Sequence, residues 1–135
     1  NAEYMGIDMD NKLLIAGLWC LIALHCAAVL ADRYTSRYDN IDLDSILANN
    51  RALNAIIKCL LAKGPCSPEG KELKTHLPEA LRTNCAKCTD AQKSIIKRAS
   101  KYLVANRASD WSDITNKYDP ERKYRNSFQR FLNEE

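Results

Sequence analysis

Apolar residues recur along this chain at spacings of three and four, and no stretch of strand length alternates apolar with polar residues. That periodicity sets one face of successive helices against a shared core and predicts an all-α fold of about six helices. The cleanest stripe is Leu53, Ile56, Ile57, Leu60 and Leu61, at i, i+3, i+4, i+7 and i+8. Asp42 is placed to cap a short helix through Ile46 and Leu47, and Asn50 to cap the one that follows. Gly64-Pro65 stops that helix, and Ser67-Pro68-Glu69 starts another, with a serine cap and proline at the first helical position. Leu73, Leu77, Ala80 and Leu81 carry the spacing on, but Pro78 lies among them. An interior proline removes one hydrogen bond and clashes with the preceding turn, so a kink or break is expected near Thr75 to Leu77.

Thr89-Asp90-Ala91-Gln92 reads as a capping box, opening a long helix that carries Ile95, Ile96, Ala99, Tyr102 and Leu103 before Asn106. Ser109 is a start for a shorter helix holding Trp111 and Ile114, which Asp119-Pro120 ends. A last amphipathic segment sets Tyr124, Phe128, Phe131 and Leu132 opposite Arg122, Lys123, Arg125, Gln129 and Arg130. Its aromatics read as core and its basic side chains as the wet face.

The beginning of the chain has a different pattern. Lys12 precedes an apolar run from Leu13 to Leu30, interrupted by His25 and closing on Val29-Leu30-Ala31 before Asp32-Arg33. This is the pattern of a secretory signal, which gives two regions: an N-terminal extension plus signal peptide over 1–31, and a helical domain over 32–135. A run of that length approaches the ~20 residues of a spanning helix, so a membrane anchor is the alternative. The small residues at its end and His25 within it favour removal, and hence a secreted, extracellular protein. Asn1 to Asp8 is too acidic for the start of a leader and stands outside the fold. Without residues 1–31 the chain loses Lys12 and three acids, leaving 19 basic and 14 acidic residues, about +5. A mildly basic surface permits association with anionic partners without requiring it.

Cutting after Ala31 also removes Cys20 and Cys26 and leaves Cys59, Cys66, Cys85 and Cys88, spaced C-x6-C-x18-C-x2-C. An even set in a small secreted domain reads as disulfides, with three pairings open. Local pairing is the simplest: Cys85 and Cys88, if they occupy one helical turn, have Cα atoms roughly 5 Å apart. Zinc fits poorly, because the x6 spacing exceeds the usual two to four residues and the route is secretory. A redox role for Cys85-x-x-Cys88 calls for a strand-to-helix context that a helical chain does not offer.

Catalysis has little to stand on. His76 is the single histidine after the leader and falls in a polar stretch with Lys74 and Thr75, where a solvated turn is expected. The carboxylates sit on polar faces, and Gly64 and Gly70 are the two glycines of that region, too few for a phosphate-cradling loop. Neither a cofactor nor a metal is called for. No nucleic-acid partner is expected for a secreted chain of this charge, and membrane contact is expected to be transient at most.

The cysteine frame and its surroundings carry a resemblance. Tyr34-Thr35-Ser36 and Tyr38-Asp39-Asn40-Ile41, then Lys63-Gly64-Pro65-Cys66-Ser67-Pro68-Glu69-Gly70-Lys71-Glu72-Leu73, then Cys85-Ala86-Lys87-Cys88, then Lys117-Tyr118-Asp119-Pro120 all look like the insect chemosensory proteins. The resemblance spans Asp32 to Arg125. It implies six helices around a hydrophobic channel, two local disulfides, and binding of long-chain alcohols, esters, fatty acids or volatile semiochemicals by a monomeric, non-catalytic carrier. From spacing and family position together, the ligand-lining residues are expected to be Ile41, Leu43, Ile46, Leu53, Ile56, Ile57, Leu60, Leu77, Ile96, Leu103, Trp111, Ile114 and Tyr118, with Trp111 foremost. Many relatives have an aromatic three residues before the first cysteine, where this chain has Ile56, which implies a more aliphatic pocket. A polar ligand head would meet Tyr118 or a charge at the rim. The rival reading is an extracellular interaction or developmental protein that acts through its surface around a solid core.

Overall fold

The structure is a computed structural model that describes residues 11–21 and 33–135. The expected cleavage position after Ala31, together with His25, Cys26 and Asn1 to Asp8, lies outside the described residues. The chain divides into two compact units, Asn1–Arg33 and Tyr34–Glu135. In the first, residues 11–21 are helical (α1), with Leu13, Leu14, Leu18, Trp19 and Leu21 exposed and Cys20 a free, exposed thiol. No helix among the described residues is long and apolar enough to cross a membrane.

The second unit holds α2 (Leu43–Ala48), α3 (Asn50–Leu60), α4 (Pro68–Thr83), α5 (Asp90–Asn106), α6 (Ala108–Tyr118) and α7 (Arg125–Asn133). No strand occurs among the described residues, and the fold is all-α. Four of these helices, α2 to α5, begin where a side chain takes up free amides. Asp42 accepts from the Ser45 amide at 3.1 Å and from the Ser45 hydroxyl at 2.6 Å, which holds its carboxyl below the usual carboxylate range. Asn49, one residue before the expected cap Asn50, accepts from the amides of Arg51 and Ala52 at 3.0 and 3.1 Å. The shift follows from reach: a cap bonds amides two and three residues ahead, and Asn49 stands between two helices that leave no room for a longer link.

Ser67 caps α4 through the Gly70 amide at 3.1 Å, with Pro68 in the first turn. Gly70 is buried there, and a Cβ on it would sit 3.2 Å from the Cys59 Sγ. A glycine at this point lets α4 start directly against the cystine at the end of α3. The break expected at Pro78 does not occur, because α4 is helical without interruption from Pro68 to Thr83. Pro78 is exposed. The carbonyl it deprives of a partner lies on a face that water reaches, so the penalty is smaller than in a core.

The capping box of α5 forms as expected, with Gln92 and Thr89 exchanging bonds at 3.1 and 3.2 Å. The Gln92 amide also donates to the Thr35 carbonyl at 2.8 Å and ties down the N-terminal segment. α6 starts at Ala108 rather than Ser109, with no side-chain cap on its amides. Arg107 fixes this corner instead, donating to Asp110 at 2.7 Å and to Asn54 of α3 at 2.7 Å.

Both disulfides are local, Cys59–Cys66 and Cys85–Cys88, with Cα–Cα distances of 4.9 and 5.0 Å. Cys85 and Cys88 do not occupy a helical turn. They close the α4–α5 connection, where Asn84 and Cys85 adopt left-handed backbone conformations and the Cys88 amide donates to the Cys85 carbonyl at 3.0 Å. Asparagine tolerates that conformation better than most residues, which suits it to end α4.

Candidate functional site

The interior of the second unit is built from two apolar clusters. One joins Leu53, Ile57 and Leu60 of α3 to Leu103 of α5 and Ile114 of α6. The other joins Ala80 and Leu81 of α4 to the Cys85 and Cys88 side chains and to Phe128, Phe131 and Leu132 of α7. Leu77, Trp111 and Tyr118 pack against both. All three remain only partly buried, so the junction between the clusters is a place where large apolar groups are still accessible.

Tyr118 is held there by its hydroxyl, which donates to the Leu60 carbonyl at 2.6 Å. Burial raises its pKa above the ordinary phenol value, so the proton stays on oxygen and the bond is kept. This limits the role expected for Tyr118 with a ligand head: its hydrogen is committed to backbone, and its oxygen is left to accept. Trp111 lies on α6, whose register is fixed by the Arg107 corner at one end and by Asp119 at the other. Asp119 is buried although the sequence places carboxylates on polar faces. Its two oxygens accept from the amides of Lys123 and Tyr124 at 2.8 and 3.0 Å, so one carboxylate ends α6 and shapes the turn into α7.

Beside Trp111, a cleft of about 280 Å³ opens between α4, α6 and α7. Its apolar walls are Leu81, Trp111 and Phe128, and its polar lining is Ser112, Thr115, Asp119, Arg125, Asn126 and Gln129. Trp111 is the one expected lining residue that borders it. Leu43, Leu53, Ile57, Leu60, Leu103 and Ile114 are buried, while Ile41, Ile46, Ile56, Leu77, Ile96 and Tyr118 are half-buried. Ile56, Leu77 and Tyr118 join Trp111 around the α3 cluster, Ile96 packs on the α7 cluster, and Ile41, Leu43 and Ile46 fall in neither.

Sequence reasoning found the α6 edge of this cleft and missed the rest. Phe128 and Leu81 were legible as helix faces but not as walls, because a stripe does not say whether it meets a neighbour or a gap. Asp119 carried a signal as the residue before Pro120, read there as a helix stop alone. Arg125, expected on the wet face, is half-buried. His76 is not in a solvated turn but on α4, half-buried, its ring stacked on Tyr34 at 3.9 Å and its Nε2 2.9 Å from Glu72. Among the described residues no group of three or more His, Cys, Asp or Glu could hold a metal ion.

Residues 34–126 match the sequence profile of the insect pheromone-binding family A10/OS-D. The chain belongs to that family. It is 42% identical over 114 residues to ejaculatory bulb-specific protein 3 of Drosophila melanogaster, covering 84% of this chain and 87% of that one. It is 41% identical over 117 residues to allergen Tha p 1 of Thaumetopoea pityocampa, covering 87% and 91%. Among solved structures it is similar to a chemosensory protein in complex with bromo-dodecanol, at 45% identity and a TM-score of 0.68, covering 73% of this chain and 98% of that one. It is also similar to antennal chemosensory protein A6 from the moth Mamestra brassicae, at 42% identity and a TM-score of 0.61, covering 69% and 91%. A10/OS-D is a binding family rather than an enzyme family.

Proposed function

We infer that this protein is a secreted, non-catalytic carrier that takes up long-chain alcohols, esters or fatty acids with the alkyl chain lying against Trp111. The observation that carries the reading is the junction of the two clusters, where Leu77, Trp111 and Tyr118 stay accessible beside a cleft walled by Leu81 and Phe128. A relative of the same fold was solved holding a twelve-carbon alcohol. An alkyl chain entering this place gains roughly 0.8 kcal/mol per methylene withdrawn from water. Selectivity between neighbouring lengths is then broad, about 1–3 kcal/mol.

The test is a titration of straight-chain alcohols from eight to eighteen carbons, followed by tryptophan emission in a Trp19→Phe background so that Trp111 alone reports. A carrier gives saturable quenching whose midpoint falls with chain length and then levels off. A surface-acting interaction protein gives no length-dependent response.

A further inference from the structure

The cleft beside Trp111 is not uniformly apolar, and its one cation is unusually placed. Arg125 lines it from the first turn of α7. Among the described residues its guanidinium has no carboxylate partner and makes a single hydrogen bond, from Nη2 to the Asn116 side-chain oxygen. Its Nε is buried and has no acceptor among the described residues. A buried guanidinium nitrogen without an acceptor is costly, and such atoms in folded proteins are ordinarily satisfied by a water, an ion or a ligand group. Asp119 borders the same cleft but does not supply the missing acceptor, since its oxygens are engaged by the amides of Lys123 and Tyr124.

We propose that Arg125 is the specificity-determining residue of this cleft and that it selects ligands ending in a carboxylate over alcohols of the same length. This rests on the carrier reading above. The chemistry is that of the planar fork: Nε and a terminal nitrogen of one guanidinium face the two oxygens of a carboxylate in parallel, an arrangement that a single hydroxyl oxygen cannot match. The alkyl chain then runs along Leu81, Trp111 and Phe128, which borders the cleft from the same helix as Arg125. Asn126 and Gln129, exposed on that helix, offer further amide donors at the rim. Asp119 opposes the choice by its charge, and a cationic head would be its natural complement, so an amine is the decisive control.

The experiment uses the full chain and isothermal titration calorimetry at pH 7 with decanoate, decanol and decylamine, each below its micelle concentration. Decanoate is expected to bind about tenfold more tightly than decanol, the scale of one charge-assisted bidentate pair in a partly wet site. In Arg125→Gln the two are expected to bind alike, and Arg125→Lys retains part of the preference as a point charge without the fork. Equal binding of decanoate and decanol to the original chain, or a preference unchanged in Arg125→Gln, overturns the proposal while leaving the carrier reading intact. Tighter binding of decylamine overturns it in favour of Asp119. Failure of all three ligands to bind overturns the carrier reading, and this proposal with it. Circular dichroism of both variants separates a lost head-group contact from a lost fold.

Discussion

The α3 cluster and the α7 cluster bury their apolar groups to a similar extent by different means. The first is aliphatic and built from helix faces alone: Leu53, Ile57, Leu60, Leu103 and Ile114 all come from regular helical positions. The second combines aromatics with a cystine and depends on irregular backbone, because Cys85 and Cys88 reach it from a turn with left-handed residues and α7 is aimed by the buried Asp119. The side assembled from stripes buries all five of these residues. The side assembled from turns and a short helix borders the cleft beside Trp111.

Breaking either cluster sharpens this contrast. Leu132 has no exposed surface, and Leu132→Ala is expected to lower unfolding free energy by about 3 kcal/mol in urea titration, within the range for a buried leucine. A loss below about 1 kcal/mol would mean that the α7 side collapses around the gap and is not packed as described. The disulfides come next. By the chain-entropy argument, replacing Cys59 and Cys66 with serine costs about 2.5 kcal/mol, and replacing Cys85 and Cys88 about 2 kcal/mol. Only the second pair lies within the α7 cluster, so only its removal is expected to alter the response of Trp111 to ligand.

Tyr118 links the clusters, and its effect is the smallest. Tyr118→Phe loses one buried hydrogen bond to the Leu60 carbonyl, about 1 kcal/mol. The variant also tests the sign of a pH dependence. The folded-state pKa of Tyr118 is raised above 10.0 by burial, so the folded chain keeps its proton when the unfolded chain has lost it. Its contribution is fully present below pH ~10 and is lost as the pH rises through the folded-state value. Thermal unfolding between pH 8 and 11 is expected to show a steeper decline in the original chain than in Tyr118→Phe. Parallel declines would contradict the burial described for this phenol.

What was legible in the sequence divides along the same line. The α3 stripe and the Ser67 and Thr89 caps follow from spacing, because each depends on residues within one or two turns of each other, whereas spacing left three cysteine pairings open and the local one only the simplest. Pro78 misled because its penalty depends on which side of α4 it occupies, and a proline on the wet side leaves the helix whole. Asp119 and Arg125 were unreadable for a related reason. Whether a charged side chain is solvated or buried is decided by what packs over it, and in both positions that is set by the path from α6 into α7. Of the α3 residues expected to line a channel, Leu53, Ile57 and Leu60 are buried and Ile56 is half-buried, and periodicity identifies such an inward face without telling a wall from a filling.

The account stands most directly on where an alkyl chain comes to rest. A crystal structure of the full chain grown with dodecanol is expected to show the chain in contact with Trp111 and extending along Leu81 or Phe128, with the α3 cluster unmoved. Density for the alcohol lodged among Leu53, Ile57 and Leu103 instead, or a complex in which Trp111 touches no ligand atom, would contradict it.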